Sequence, residues 1–371
     1  MSYKLLKTKP DISDKCQLET WNLNHNEQNL FNVDVKVFYN KKFNILKLKN
    51  NNHEDFNDKV DEISSSRKKL FKGKKDHINH CPICKSKSIK KIYFQIYNGK
   101  YVECVNCSHN YVTNRLKEEE LIDFYKNSKA YQSTYTNQEQ IERRIKEIYE
   151  PKLDWVLKIF KSKYGTKPRK ILDVGTGSGH FVKLCHDRGI QCDGIEVSKS
   201  GLDFAKNNFN IKLHDKDIFN EWKFFSNKNY DIITCWGLIE HVTNPLELLK
   251  ISSKILGKNE GMIVGSVPRL DSLSSFIQRQ FPNNVIRHLD PLGHIQMFTD
   301  LSLSTMVHNS NFKLNSVWYF GIDAYEFLIQ LASYSKNNVV INGDIINSLQ
   351  LLMDLNTLSD SMIFSATNKI K

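Results

Sequence analysis

The segment KILDVGTGSGHF, residues 170–181, constrains the fold of this chain more than any other stretch. Ile171, Leu172 and Val174 form the near-continuous apolar run of a strand covered on both faces. Gly175, Gly177 and Gly179 follow at intervals of two, so the backbone can turn and approach a ligand without intervening β-carbons. Downstream, strand-like and helix-like patterns alternate. Strands are expected at 170–174, 191–196, 210–214, 231–235 and 261–267, with helices near 179–189, 199–208 and 243–257. That order predicts an α/β fold with a doubly wound parallel sheet.

A glycine turn after a buried strand serves phosphates, dinucleotides or S-adenosylmethionine (SAM). A phosphate loop requires Gly-Lys-Ser/Thr at its end, and this chain has Gly179-His180-Phe181. The dinucleotide fingerprint requires its third glycine at position 180, where His180 stands. Glu196 ends the second strand, twenty-three residues after Asp173, where a carboxylate can accept from both ribose hydroxyls. Asp217 and Ile218 follow the third expected strand, placed for an adenine amino group and ring face. YDIITCWGLIEHVTNPLELL adds Trp236 at a strand end and a Glu-His pair at a turn.

Two Cys-x-x-Cys knuckles, Cys81/Cys84 and Cys104/Cys107, flank nineteen residues whose alternation turns at Asn98-Gly99. A hairpin there brings the knuckles together as a four-cysteine zinc site, structural by default because it is closed. His109 is a further nitrogen donor near the site, although four cysteines already complete it. No apolar run reaches the roughly 18 residues of a membrane span, and MSYKLLKTKP lacks a signal-peptide core. A soluble cytoplasmic protein with reduced cysteines is expected. The formal charge is +12, and from Arg67 to Lys91 ten basic residues face one acid, Asp76. Such a balance suits nucleic acid or a phosphorylated substrate, and also a simple Lys/Asn compositional bias.

The succession DVGTGSGHF, GIEVS, KDIF, YDIITCWGLIEHVTNP and GMIVGSVP resembles class I SAM-dependent methyltransferases over about residues 150–320. Within them it is similar to the group containing ubiquinone-biosynthesis O-methyltransferases and sugar- and polysaccharide-modifying enzymes. A zinc ribbon followed by a phrase like EEELIDFYKNSKAY extends the likeness back to about residue 80. The resemblance implies a Rossmann-like sheet with an antiparallel edge hairpin, here FKLNSVWYF and DSMIFSAT. It implies that Asp173 anchors the loop and that Gly175, Gly177 and Gly179 approach SAM. Glu196 would bind its ribose, Asp217 and Ile218 its adenine, and Trp236 would lie beside its methionine end.

Four parts are expected. Residues 1–75 form an N-terminal segment, with VDVKVFYN and KFNILKLKN as a hairpin joined by YNKK, a loop at 49–62 and then a linker. Residues 76–115 form the ribbon. Residues 116–168 are a helical connector or lid carrying Tyr125, Tyr131 and Tyr135, with an apolar stripe from Ile141 to Phe160 kinked at Pro151. Residues 169–371 form the main domain, with a helical insertion at about 324–357 that serves as a lid or homodimer contact.

Methyl transfer to a hydroxyl needs a proton acceptor. His241, just past the fourth strand, and His294, before MFT, are the candidate bases, with Asp290 orienting His294 or binding a substrate hydroxyl. His288 reads as a surface or loop histidine. Gly237 stands where the ubiquinone enzymes carry an acidic metal ligand, which argues against such a metal here. The expected activity is SAM-dependent methylation of a small polar acceptor, a sugar or nucleotide-sugar for surface polysaccharide. An RNA or protein methyltransferase gripping its target with the ribbon and residues 67–91 is the enzymatic alternative. A non-catalytic scaffold is the other.

Overall fold

The computed structural model describes residues 2–8, 16–40, 45–48, 65–68, 76–87, 93–127, 140–257, 260–282, 285, 287–335 and 342–369. The expected loop at 49–62, most of the linker, Tyr131 and Tyr135 lie outside the described residues.

The chain begins with β1 (Tyr3–Thr8), β2 (Cys16–His25) and β3 (Gln28–Tyr39), an antiparallel meander. Its hairpin turns at Asn26 and Glu27, both at positive φ, and not at YNKK as expected. Of the expected partner strand KFNILKLKN, Ile45–Leu48 is helical instead. The ribbon region contributes β4 (Asp76–His77), β5 (Phe94–Ile96), β6 (Gly99–Glu103), β7 (Asn110–Val112) and β8 (Asn114–Arg115). The expected hairpin does join β5 to β6, but it turns at Tyr97-Asn98, both at positive φ, one residue before the expected Asn98-Gly99.

The main sheet is completed by β9 (Lys170–Val174), β10 (Gln191–Ile195), β11 (Ile232–Trp236), β12 (Met262–Pro268), β14 (Phe312–Phe320) and β15 (Ser361–Asn368). The nine strands run β1-β2-β3-β14-β15-β12-β11-β9-β10. Strands β9 to β12 pair in parallel, and β15 runs antiparallel to both β12 and β14, the expected edge hairpin. That hairpin is not the sheet's edge here, because β3 pairs in parallel with β14 and carries the N-terminal meander into the same sheet. Residues 210–214 do not form the expected third strand; His214 makes a single parallel bridge to Ile195. The two-residue strand β13 (Gln296–Met297) leaves the main sheet and pairs with β7 of the ribbon.

Helices cover the parallel strands, as their apolar runs require. The helix Glu150–Tyr164 carries Pro151 in its first turn, where a missing N–H costs little. A π-helical turn, Ile145–Tyr149, precedes it and buries Tyr149. The expected insertion contains the helices Asp323–Ser335 and Gly343–Leu355. Ile345, Leu349 and Leu352 lie exposed along the second. Among the described residues, no helix is long and apolar enough to cross a membrane.

Candidate active site

Strand order reverses between β9, whose helix leads to β10, and β11 on its other side. At such a switch point the loops diverge and leave a crevice beyond the carboxyl ends of the strands. A cavity of about 380 Å³ occupies it. Asp173, Gly175, Gly177, Glu196, Asp217, Ile218, Trp236 and His241 all line this cavity.

The glycine turn has φ values of 69°, 59° and 77° at Gly175, Gly177 and Gly179, a region that β-carbons disfavour. A β-carbon on Gly175 would come within 2.9 Å of Leu238 Cδ1, whereas one on Gly177 would meet nothing within 4 Å. Gly177 therefore borders open space, and its N–H donates to Glu196 Oε2 at 2.7 Å. Glu196 Oε1 accepts from the N–H groups of Val197 and Ser198, so the carboxylate is fixed before a ligand arrives. Gly179 caps the helix His180–Asp187 instead of lining the cavity.

Thr234 donates its hydroxyl to Asp173 Oδ1 at 2.6 Å. Burial pushes the Asp173 carboxyl up to about 6, against the pull of the Thr176 and Thr234 hydroxyls and the Lys152 ammonium. Asp217 caps the short helix Ile218–Glu221 by accepting from Phe219 N–H. Trp236 meets Phe181 edge-on, and Lys152 Nζ lies 4.7 Å from the centre of one of its rings. Burial pushes Lys152 down to about 8. Neither Lys152 nor Tyr149 was singled out from sequence. A lysine inside the apolar stripe between Ile148 and Trp155 was the available signal.

On the other wall, His241 Nδ1 is 2.5 Å from the Gly293 carbonyl and His294 Nδ1 is 2.7 Å from the His288 carbonyl. A carbonyl only accepts, so each Nδ1 carries the proton, and in the neutral ring Nε2 is the basic atom. The two ring centroids are 5.0 Å apart. His241 lines the cavity, and His294 lies behind it, outside the lining. Burial pushes His241 down to about 4 and His294 well below the ordinary histidine value. It also pushes Glu240 up to about 8. The donor atoms of Glu240, His241 and His294 lie within 4.8 Å of one another.

Two expectations change here. The Asp290 carboxylate is held away from the His294 ring, accepting from Arg67 Nε and Nη2 and from Leu292 N–H, while the Asp290 backbone carbonyl accepts the His294 N–H at 2.7 Å. The Arg67 contact also turns one member of the expected basic patch inward. His288 is not at the surface; it is largely buried, with Nε2 3.3 Å from Asp360 Oδ2 and its ring 5.1 Å from that of His294.

Away from this cavity, Cys81, Cys84, Cys104 and Cys107 converge, with Sγ separations of 3.6 Å (Cys81–Cys107) and 3.4 Å (Cys84–Cys104). Four thiolates about 2.3 Å from one ion would stand near 3.8 Å apart, so this set fits tetrahedral zinc. His109 does not join them; its ring bonds to Gln296.

Residues 138–317 match a family model described as a methyltransferase domain. Ubiquinone biosynthesis O-methyltransferase of Coxiella burnetii is 28% identical over 120 residues, 30% of this chain and 50% of that protein. The protein of the same name from Pelagibacter ubique is 29% identical over 129 residues, 33% and 52% of the two chains. This chain thus spans about half the length of the curated relatives it matches. A solved SAM-dependent methyltransferase from Archaeoglobus fulgidus aligns with 61% of this chain and 97% of its own, at 18% identity and a TM-score of 0.40. By sequence, and by the strand order around its cavity, the segment 138–317 belongs to the class I SAM-dependent methyltransferases.

Proposed function

We propose that the chain methylates a hydroxyl of a small polar acceptor, with SAM as donor. The observation that carries this reading is one cavity that joins the glycine turn and Glu196 to the ring of His241. When bound, SAM supplies a methyl group already activated by a sulfonium. What remains for the protein is alignment and proton removal. Glu196 accepts from the ribose hydroxyls, Asp217 and Ile218 receive the adenine, and Asp173 with Trp236 borders the methionine end. His241 takes the acceptor's proton on Nε2, which burial keeps unprotonated at neutral pH, and His294 backs its ring. O-methylation is also the activity that the relatives' names state.

A sugar or nucleotide-activated sugar is the acceptor we favour. That choice rests on the resemblance to sugar-modifying members of the group, and the charge of +12 is compatible with a diphosphate. The four cysteines would hold zinc as a closed, structural site.

Calorimetric titration of the metal-replete protein with SAM tests the reading. One site per chain is expected, and absence of binding would overturn it. Incubation with labelled SAM and a panel of nucleotide-sugars should then transfer label. Salt-dependent retention and labelling of RNA would replace the sugar by a nucleic-acid substrate.

A further inference from the structure

The ribbon and the acceptor wall share residues. Gln296, the first residue of β13, pairs with Tyr111 in the ribbon sheet, and Val112 N–H donates to the Ile295 carbonyl. Its own N–H reaches the Glu240 carbonyl at 3.2 Å, and its Nε2 reaches the Val242 carbonyl at 3.2 Å. Gln296 therefore bridges from the strand after His294 to the residues on both sides of His241. With its amide nitrogen donating, Gln296 Oε1 must accept, and the partner is His109 Nε2 at 2.8 Å. His109 is fully buried and belongs to the second knuckle, where its carbonyl accepts from Cys104 N–H. A further tie runs from Tyr101 in β6, whose hydroxyl donates to the His294 carbonyl at 3.0 Å. The hairpin tip is seated as well: a β-carbon on Gly99 would lie 2.2 Å from Pro291 Cβ.

We propose that His109 and Gln296 are positioning residues, through which the cysteine module holds the His241 and His294 loops in register. The inference rests on the methyl-transfer reading for its purpose and on the hydrogen-bond chain for its geometry. Each link joins segments distant in sequence, and the described bonds of Gln296 include none to the main sheet's strands. On the donor side, Asp173, Gly177 and Glu196 are held by Thr234 and by the loop's own backbone. The ribbon thus orders the acceptor half of the cavity and leaves the donor half to the sheet.

The test uses full-length, zinc-loaded protein with 13C-labelled histidine rings and needs neither SAM nor an acceptor. Signals are assigned with His241→Asn and His294→Asn. Gln296→Met keeps the side-chain length and removes the bridge; His109→Gln keeps an N–H donor at similar reach, and His109→Leu removes it. Gln296→Met and His109→Leu should shift both ring signals and raise their titration midpoints by at least about 0.5 pH, toward solvated histidine. His109→Gln should restore the wild-type signals, and the zinc content of Gln296→Met should stay at one per chain. Unchanged His241 and His294 signals in Gln296→Met would overturn the proposal. Calorimetry separates it from the function: a wild-type chain that fails to bind SAM defeats methyl transfer while the ring signals remain readable.

Discussion

His241 and His294 meet ring to ring, with centroids 5.0 Å apart, although each Nδ1 is tied to a different backbone carbonyl. The pairing sets the His241 ring at the cavity lining and the His294 ring behind it, with His241 Nε2 4.0 Å from Glu240 Oε1. His241→Gln should lower labelled methyl transfer by about 10²–10⁴, with SAM affinity kept within about twofold. His294→Gln should cost less, because that ring lies outside the cavity lining. Full turnover in both variants would remove histidine base catalysis.

Gly177 carries both a conformational and a spatial constraint, with φ of 59° beside open cavity. Gly177→Ala should destabilise the fold by about 1–2 kcal/mol and weaken SAM binding about tenfold or more. Gly189→Ala is the matched control, because Gly189 has φ of 71°, nothing within 4 Å of an added β-carbon, and no place in the cavity lining. It should lower the thermal midpoint similarly and leave calorimetric SAM affinity unchanged.

Asp173 should make SAM binding depend on pH. Burial disfavours the ionised form and raises the carboxyl to about 6. Above that pH the carboxylate attracts the cationic end of SAM; below it the group is neutral and the attraction is lost. Affinity measured by calorimetry should therefore fall between pH 7.5 and 5. Asp173→Asn should bind more weakly and flatten this dependence.

Removing the metal proposed for the four cysteines should act selectively. Ile96, Tyr101 and Val112 share one apolar cluster with Leu289, Leu292 and Ile295, so loosening the knuckles uncovers the acceptor loop. Cys104→Ser should reduce zinc below one per chain, lower the thermal midpoint by several degrees, and admit protease between residues 287 and 297. SAM affinity should stay within about threefold. Loss of SAM binding in parallel with zinc would show that the ribbon also supports the donor half.

Much of the sheet was legible because its signals are local. The apolar runs at 170–174, 232–236 and 262–268 each report burial on both faces, and the glycine turn reports its own backbone. The N-terminal hairpin was misplaced because its turn uses Asn26-Glu27, and glutamate is rare at positive φ. Residues 210–214 have an apolar pattern but only one bridge to the sheet, so periodicity overstated them. His288 lies in a loop as expected, but its burial against Asp360 and His294 is set by packing.

The sequence by itself determined the glycine-turn side of the cavity, Gly179 excepted, and the makeup of the cysteine cluster. Both depend on residues at short, characteristic spacings, where backbone geometry leaves few alternatives. Tertiary structure decided the His241 side of the cavity. Asp290 was given to Arg67, His241 was placed at the cavity with His294 behind it, and Gln296 was tied to His109. Those relationships come from pairing between β7 and β13 and from burial of charged and polar groups against distant partners. Hydrogen bonds between segments so far apart follow from the packed fold and leave no periodic trace along the chain.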